Sequence, residues 1–312
     1  MGIAILSGVV ASLEPHRNKS DFQKWESHTP GTLTPVNTPD VTVPTRFIAC
    51  VSKEQSGKKL TATFANLGRQ VEIVVSNNLW AVQQADVILL WYVLSTISRP
   101  LFKEVGSCKP QLAHTILEEP GMKEALDSKL LISILAGVTL SQLNEWILPS
   151  TTVIRAMPNT PCKIREGMTV VSPIPESAEA ERDTARILKI FSSIGRCRFL
   201  EEKHFDACTA LSGSGPAFAC IFLEAMADGG VMMGLPRAEA LELAAQTLQG
   251  AARMVLQVGA HPAQIKDAVT TPGGCTIAGL LALEDGRVRS TIARGIQIAT
   301  ERASELGQPG KK

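Results

Sequence analysis

Short apolar runs alternate with helical segments between residues 46 and 156, and this alternation constrains the fold more than any other feature of the sequence. Five runs have the continuous apolar character of buried strands: 46–51, 71–75, 86–90, 130–135 and 152–156. Strands that are apolar on both faces are typical of a parallel sheet covered by helices on both sides. The pattern therefore predicts an α/β, doubly wound domain.

The last third of the chain has a different character. After a predicted helix at 176–193 and a predicted strand at 196–200, apolar residues follow the i, i+3, i+4, i+7 rhythm of helices, for example from Leu241 to Val255. Alanine and glycine are dense here, which allows close helix packing. We predict an α/β domain over 1–174 and a helical domain over 175–312. The excess apolar surface of these helices also predicts a homo-oligomer.

The composition excludes several classes of protein. A formal net charge of +1 gives no basis for binding nucleic acid, and no apolar run reaches the roughly 18 residues of a membrane span. The start of the chain has no basic leader of the signal-peptide kind. The seven cysteines are odd in number and contain no CxxC pair, so reduced thiols are expected rather than disulfides or a metal site. We therefore expect a cytoplasmic protein with no metal, no nucleic acid and no membrane partner.

Three segments are candidates for small-molecule binding. In DAVTTPGGCTIAGLLALE (267–284), the pair Gly273 and Gly274 precedes a helix that opens with Cys275 and Thr276. Unobstructed amides at a helix start can hold a carboxylate, although such a sequence is also compatible with an ordinary turn.

The other two segments are ALSGSGPAFA (210–219) and RAMPNTP (155–161). Ser212 and Ser214 could bind a substrate or cap a helix. Asn159 follows a buried strand, where loops face the ligand crevice of a doubly wound sheet, but it could also be a turn residue.

Taken together, these segments resemble the pyrroline-5-carboxylate reductase family. The resemblance runs from about residue 130 to 306 and is carried by MPNTP, GMT, SGSGPA, GLP and VTTPGGCTIAGLLALE, in that order. One departure is Cys275, where many members have Thr or Ala. Because a backbone donor is expected at this position, the change should matter little.

The resemblance implies a reaction and its participants. A reduced nicotinamide would deliver hydride to the C=N bond of 1-pyrroline-5-carboxylate and give L-proline. The residues Gly273, Gly274, Cys275 and Thr276 would bind the substrate carboxylate, and Ser212 and Ser214 would line the same pocket. Some members have a threonine shortly after SGSGPA, where this chain has Ile221, so no catalytic side chain is assigned. Solvent can protonate an imine, and catalysis would rest on orientation.

The resemblance also implies a Rossmann-like fold for the first domain. The family begins with a strand and a glycine-rich turn, of which only Gly2, matching the third glycine, is expected here. The sheet is therefore predicted to lack its first strand, and we interpret the true start as lying upstream. Residues 91–107 interrupt the sequence pattern of the family. They are either a translated intron or a real loop, and we favour the intron. The long polar stretch 14–45 is predicted to be a loop.

The cofactor is expected to be NADPH, with NADH possible. Ser52 and Lys53 follow the strand 46–51, and the end of this strand is where such folds contact the adenosine ribose of the cofactor. A hydroxyl and an ammonium there suit a 2′-phosphate. Lys53 could equally be a solvated surface lysine. The resemblance assigns Asn78 to the adenosine side and Lys109 with Pro110 to the nicotinamide side, while Asn159 could contact cofactor or substrate.

The sequence is also compatible with two alternatives. A dehydrogenase acting on a hydroxy acid or another imine would need a catalytic residue in the helical domain, for which only His261 and Lys266 are of the right type. The second alternative is an oligomerising homologue that does not bind the cofactor, because the glycine-rich turn is incomplete. The resemblance further implies dimers formed through the helical domain and assembled into larger rings.

Overall fold

The structure is a computed structural model that describes residues 1–12, 46–65, 71–91, 110–135 and 137–306. Its described residues divide into two compact units, one made of residues up to 209 with 302–306, the other of 210–301. The predicted loop at 14–45 and nearly all of the interruption at 91–107 lie outside the described residues. The division falls later than the predicted boundary at 174, because residues 180–199 pack on the sheet of the first unit.

The first unit is built from strands and helices in alternation, as the sequence predicts. Its strands are β1 (Phe47–Val51), β2 (Val71–Val75), β3 (Val87–Leu90), β4 (Leu130–Ser133), β5 (Thr152–Met157), β6 (Gly167–Val171) and β7 (Gly195–Phe199). Its helices are α1 (Gly2–Ser12), α2 (Glu54–Phe64), α3 (Asn78–Gln83), α4 (Pro110–Leu117), α5 (Met122–Ala125), α6 (Leu140–Trp146), α7 (Ala180–Ser192) and α8 (Phe205–Cys208).

The strands form two separate sheets within the described residues. Strands β1 and β2 pair in parallel, and β3 to β7 form a second sheet in sequence order. All pairs of the second sheet are parallel except β5 with β6. The predicted α/β fold with mainly parallel strands is confirmed for the described residues, although these strands form two sheets rather than one. Strand β6 was not predicted. It is short and pairs antiparallel with β5, so it does not follow the alternation of strands and helices on which the prediction relied.

The central strands are buried on both faces. In β4, Leu130 and Ile132 enter one apolar cluster with residues of α1 and α7, whereas Leu131 enters the opposite cluster with residues of α4, α5 and α6. Successive side chains of a strand point to opposite faces, so a strand that feeds two cores must be apolar throughout. Each fully buried Leu or Ile contributes about 1.5–3 kcal/mol relative to exposure.

The second unit is helical. It contains α9 (Gly215–Met232), α10 (Arg237–Arg253), α11 (Pro262–Ala268), α12 (Cys275–Asp285) and most of α13 (Val288–Leu306). The close packing predicted for small residues is seen where α9 meets α10. A Cβ built on Gly230 would lie 3.3 Å from the Cβ of Ala240, so the two backbones are in near contact.

Candidate active site

The carboxyl ends of β1 and β2 form one corner of the first unit. Ser52 and Lys53 follow β1 and are exposed. Ser76, which follows β2, donates its backbone N–H to the Val51 carbonyl at 2.8 Å and its hydroxyl to the Ser52 carbonyl at 3.0 Å. Its φ of +52° bends the chain back towards β1. This arrangement keeps the Ser52 hydroxyl and the Lys53 ammonium at the solvent-facing end of the strand.

Asn78 lies beside this corner at the start of α3. Its side-chain oxygen accepts from the Cys50 thiol, with Sγ and Oδ1 3.1 Å apart. Burial raises the pKa of Cys50, so the thiol stays a donor at neutral pH. Asn77 caps the helix by accepting from the N–H of Trp80 at 3.2 Å. The Asn78 carboxamide is thus held in one orientation next to the ends of the strands.

An open cavity adjoins Asn78 that the sequence did not reveal. It has a volume of about 510 Å³ and is lined also by His114, Glu118, Glu119 and other residues of 114–120. His114 Nε2 lies 3.0 Å from Glu118 Oε1. These residues belong to a helix and a turn without any motif, so only the fold brings them beside the strand ends.

The remaining predicted cofactor residues differ in their positions and contacts in the structure. Gly2 begins α1, is buried and lies against the indole of Trp91. Asn159 follows β5 but is only 9% exposed, and its Oδ1 accepts from the N–H of Met168 at 2.8 Å. That bond ties the loop to the first residues of β6. Pro110 begins α4, and Lys109 lies outside the described residues.

In the second unit, the predicted substrate loop has the backbone that a glycine pair allows. Gly273 has a φ of +69°, which only glycine adopts without strain. Gly274 occupies the N-cap position of α12, and a Cβ there would overlap the Thr271 hydroxyl and lie 3.2 Å from the Thr271 carbonyl. Cys275 and Thr276 form the first turn of α12. The loop therefore needs glycine at 273 for its conformation, and at 274 a side chain would crowd Thr271.

Ser212 and Ser214 lie at the other end of the second unit's sequence. Residues Thr209–Gly213 form a π-helical turn, in which the hydroxyl oxygen of Ser212 is buried. Ser214 occupies the N-cap position of α9 but makes no side-chain capping bond. Helix capping, the alternative that the sequence left open, is therefore not what Ser214 does in this structure.

The candidates for a different catalytic chemistry are used structurally. His261 caps α11, with its Nδ1 accepting from the N–H of Ala263 at 3.2 Å. Lys266 forms an ion pair of 2.7 Å with Asp267. Ile221, at the position where some relatives have a threonine, is 64% exposed on α9.

The first unit therefore has the fold of a dinucleotide-binding domain, with polar side chains at its strand ends, and the second is a helical unit with a glycine-led helix start. Residues 202–306 match the family model of pyrroline-5-carboxylate reductase dimerisation. The chain is 45% identical over 309 residues to pyrroline-5-carboxylate reductase of Schizosaccharomyces pombe, covering 99% of this chain and 96% of that protein. It is 44% identical to the enzyme of Lophium arboricola, covering 99% and 91%.

Solved structures agree with these matches. The NADP-bound pyrroline carboxylate reductase of Plasmodium falciparum aligns with a TM-score of 0.65 at 28% identity, covering 84% of this chain and 98% of that one. The enzyme of Coxiella burnetii aligns with a TM-score of 0.69 at 29% identity, covering 83% and 88%. The chain belongs to the pyrroline-5-carboxylate reductase family. Its helical unit carries the family's dimerisation region, and the chain forms homo-oligomers.

One helical stretch bears on the expectation of no membrane partner. Residues Glu202–Met232 are long and apolar enough to cross a membrane by length and composition alone, with a mean hydropathy of 1.3 and 11% of the window buried. This stretch has no continuous apolar run in the sequence, since its apolar residues are interspersed with small and polar ones. The stretch falls within the dimerisation region, where an apolar helix surface has a partner subunit to pack on. The absence of a membrane partner stays a prediction.

Proposed function

We propose that this chain reduces 1-pyrroline-5-carboxylate to L-proline with NADPH. The observation that carries the proposal is the glycine-led start of α12, which stands in the dimerisation region of a chain belonging to this family. An exposed helix start is suited to a small carboxylate, the anionic group of the substrate.

The substrate's acid group binds at residues 273–276. The left-handed Gly273 and the N-cap Gly274 leave the first amides of α12 free of side chains, and the helix dipole adds attraction for an anion. Cys275 and Thr276 contribute backbone donors, so the identity of residue 275 is secondary. Ser212 and Ser214 line the same pocket.

The cofactor's adenosine end binds at the corner of β1 and β2. Ser52 and Lys53 are exposed and polar there, which fits the 2′-phosphate that distinguishes NADPH from NADH. Asn78, already oriented by Cys50, faces the adenosine side. Lys109, Pro110 and Asn159 serve the nicotinamide side, and Gly2 the phosphates. When bound, the reduced nicotinamide supplies the hydride for the imine carbon.

The protein's contribution to the reaction is orientation. The imine nitrogen takes its proton from solvent, so no side chain is needed as a general acid, and none is assigned. Fixing the substrate by its carboxylate removes translational and rotational freedom that a reaction in solution must lose at the barrier.

The proposal extends to the assembly of the enzyme and its location in the cell. Dimers form through α9 to α13, where apolar side chains are exposed on the isolated chain, and dimers associate into larger rings. We place the enzyme in the cytoplasm.

Substitution of Gly274 tests the proposal directly. In Gly274→Ala the new Cβ meets the Thr271 hydroxyl and lies 3.2 Å from the Thr271 carbonyl, so the Thr271 side chain must rotate and the turn before α12 must adjust. We expect the KM for 1-pyrroline-5-carboxylate to rise about tenfold or more, as expected when a hydrogen bond to a charged group is lost. The Kd for NADPH should not change. Gly279→Ala is the matched control, since that glycine lies on the same helix with open space around it. Equal KM values in the two variants would contradict the assignment.

One observation favours the alternative hypothesis, that this chain is a homologue unable to bind the cofactor: β1 and β3 belong to separate sheets among the described residues. Calorimetric titration of the purified chain with NADPH decides between the two. Saturable binding, together with oxidation of NADPH on addition of 1-pyrroline-5-carboxylate, eliminates the inert homologue. No binding at millimolar cofactor would eliminate the reductase.

A further inference from the structure

The contact with Cys50 gives the Asn78 carboxamide a defined direction. An asparagine side chain carries an acceptor, Oδ1, and a donor group, Nδ2, on opposite sides of a planar amide. In Asn78 the acceptor faces β1, where Oδ1 lies 3.1 Å from the Cys50 Sγ. Nδ2 therefore faces away from β1. None of the residues that the structure describes accepts a hydrogen bond from it.

The surroundings of the sulphur favour this direction over a flipped amide. A thiol accepts as well as donates, so a flipped Asn78 would point Nδ2 at Sγ. The backbone N–H of Asn77 already donates to that sulphur. Burial in the first place, and the charge of Glu119 to a smaller extent, raises the pKa of Cys50 and keeps the proton on the sulphur. That proton needs an acceptor, and Asn78 Oδ1 is the one within reach.

Asn78 lies where the direction of its amide matters to a ligand. It lines the open cavity of about 510 Å³ together with Glu119, beside the carboxyl ends of β1 and β2. A side chain that is free to rotate must be ordered when a ligand binds, which weakens the affinity. A carboxamide already held by Cys50 has lost that freedom before the ligand arrives.

We propose that Cys50 is a positioning residue for the cofactor, whose thiol holds Oδ1 of Asn78 so that Nδ2 is presented to the adenosine end as a hydrogen-bond donor. The proposal rests on the proposed function, because it concerns how the same cofactor is held. The partner of Nδ2 is an acceptor atom of the cofactor, such as a ribose or phosphate oxygen. Cys50 itself does not touch the cofactor and acts through Asn78.

Substitution of Cys50 tests this role through the affinity for the cofactor. We expect the Kd for NADPH, measured by calorimetry, to rise about two- to tenfold in Cys50→Ala, the effect of losing one neutral hydrogen bond. Cys50→Ser keeps a donor at this position and should restore most of the affinity. Cys208→Ala is the matched control, since that partly buried cysteine lies on α8, and it should keep the wild-type Kd. An unchanged Kd in Cys50→Ala, or equally weak binding by the Ala and Ser variants, would overturn the proposal.

A double-mutant cycle shows whether Cys50 acts through Asn78. In the Asn78→Ala background, Cys50→Ala should leave the Kd for NADPH unchanged, because the group that the thiol orients is gone. A contact that only stabilises the fold would instead weaken binding by the same factor in both backgrounds. That result would refute the positioning role.

A third variant tests the direction of the amide and leaves Cys50 in place. Asn78→Asp keeps an acceptor for the thiol and puts an oxygen where Nδ2 stands. If Nδ2 donates to the cofactor, the Kd for NADPH should rise at least as much as in Asn78→Ala. A wild-type Kd in Asn78→Asp would overturn the proposal even if Cys50→Ala folds poorly.

The positioning role and the proposed function fail in different ways. If the wild type and Cys50→Ala bind NADPH with one Kd, the positioning role is refuted and the reductase stands. If the wild type does not bind NADPH at all, the reductase is refuted and the role of Cys50 with it.

Discussion

The contact between Glu202 and Arg155 offers a sharp test of what holds the chain to the sheet just before the helical unit. Glu202 Oε1 lies 2.6 Å from Arg155 Nη1 and accepts from the Leu140 N–H at 2.8 Å. The Arg155 side chain is 12% exposed, and its guanidinium also stacks over the Phe205 ring at 4.9 Å from the centroid. One carboxylate thus joins β5, the start of α6 and the segment that leads into α8.

The cost of losing this carboxylate can be worked from those contacts. Glu202→Ala removes two hydrogen bonds to a charged acceptor, each worth about 1.5–3 kcal/mol when well buried. Because the Glu202 side chain is 31% exposed, we discount the sum by roughly half, to about 1.5–3 kcal/mol. For a unit of this size, that loss corresponds to a fall in Tm of about 3–12 °C. Glu202→Gln keeps the acceptor oxygen and should lose about 1 kcal/mol.

Thermal unfolding followed by circular dichroism measures both variants. Glu201→Ala is the matched control, because the neighbouring carboxylate is 64% exposed and pairs with Lys203 on the surface. Its Tm should equal that of the wild type. The reasoning is refuted if Glu202→Ala has the Tm of the wild type, or if Glu202→Ala and Glu201→Ala lower the Tm by the same amount.

Two further predictions concern single side chains. Burial raises the pKa of the Cys197 thiol to about 12, so iodoacetamide at pH 8 should leave it unmodified in the folded chain and modify it in urea. The unfolded chain releases this proton near pH 9, whereas the folded chain keeps it up to about 12. The free energy of unfolding should therefore fall between these pH values by up to about 1.4 kcal/mol per unit, and less steeply in Cys197→Ala, as urea titrations at pH 7 and 10 would show. For the cofactor, Lys53→Ala should weaken NADPH binding about two- to fivefold, the effect of losing an exposed ion pair, and leave NADH binding unchanged. Equal effects on both Kd values would mean that Lys53 does not contact the 2′-phosphate.

The sequence predicted most of the first unit's sheet because its strands carry their signal locally. Continuous apolar runs, such as that of β4, result directly from burial on both faces. Strand β6 could not be found in this way, since its pairing with β5 is antiparallel and depends on the loop that Asn159 ties to Met168. The contact of Trp91 with Gly2 was equally invisible, because the two residues are far apart in sequence and only the fold brings them together.

The same distinction applies to the candidate site. The glycines at 273 and 274 were recognisable from sequence because their conformation and lack of a Cβ are local requirements of one turn. The orientation of Asn78 was not, because it depends on the thiol of Cys50 in another strand. Motifs therefore identified residues whose backbone conformation is a local requirement of one turn. They did not identify the partners that orient side chains, which only the fold supplies.

The helical unit explains why oligomerisation belongs to this fold rather than being added to it. Within 210–301, all of which is described, the buried apolar residues are the alanines Ala210, Ala227, Ala240 and Ala244. Large apolar side chains lie outside instead, with Met232 81%, Met233 79% and Val258 76% exposed. Four buried alanines remove too little apolar surface from water to offset the entropy lost on ordering some ninety residues. The helices must therefore bury their remaining apolar faces against another surface, and a second copy of the same dimerisation region is the surface that the family provides. Folding of this unit and its association are on this reasoning a single process.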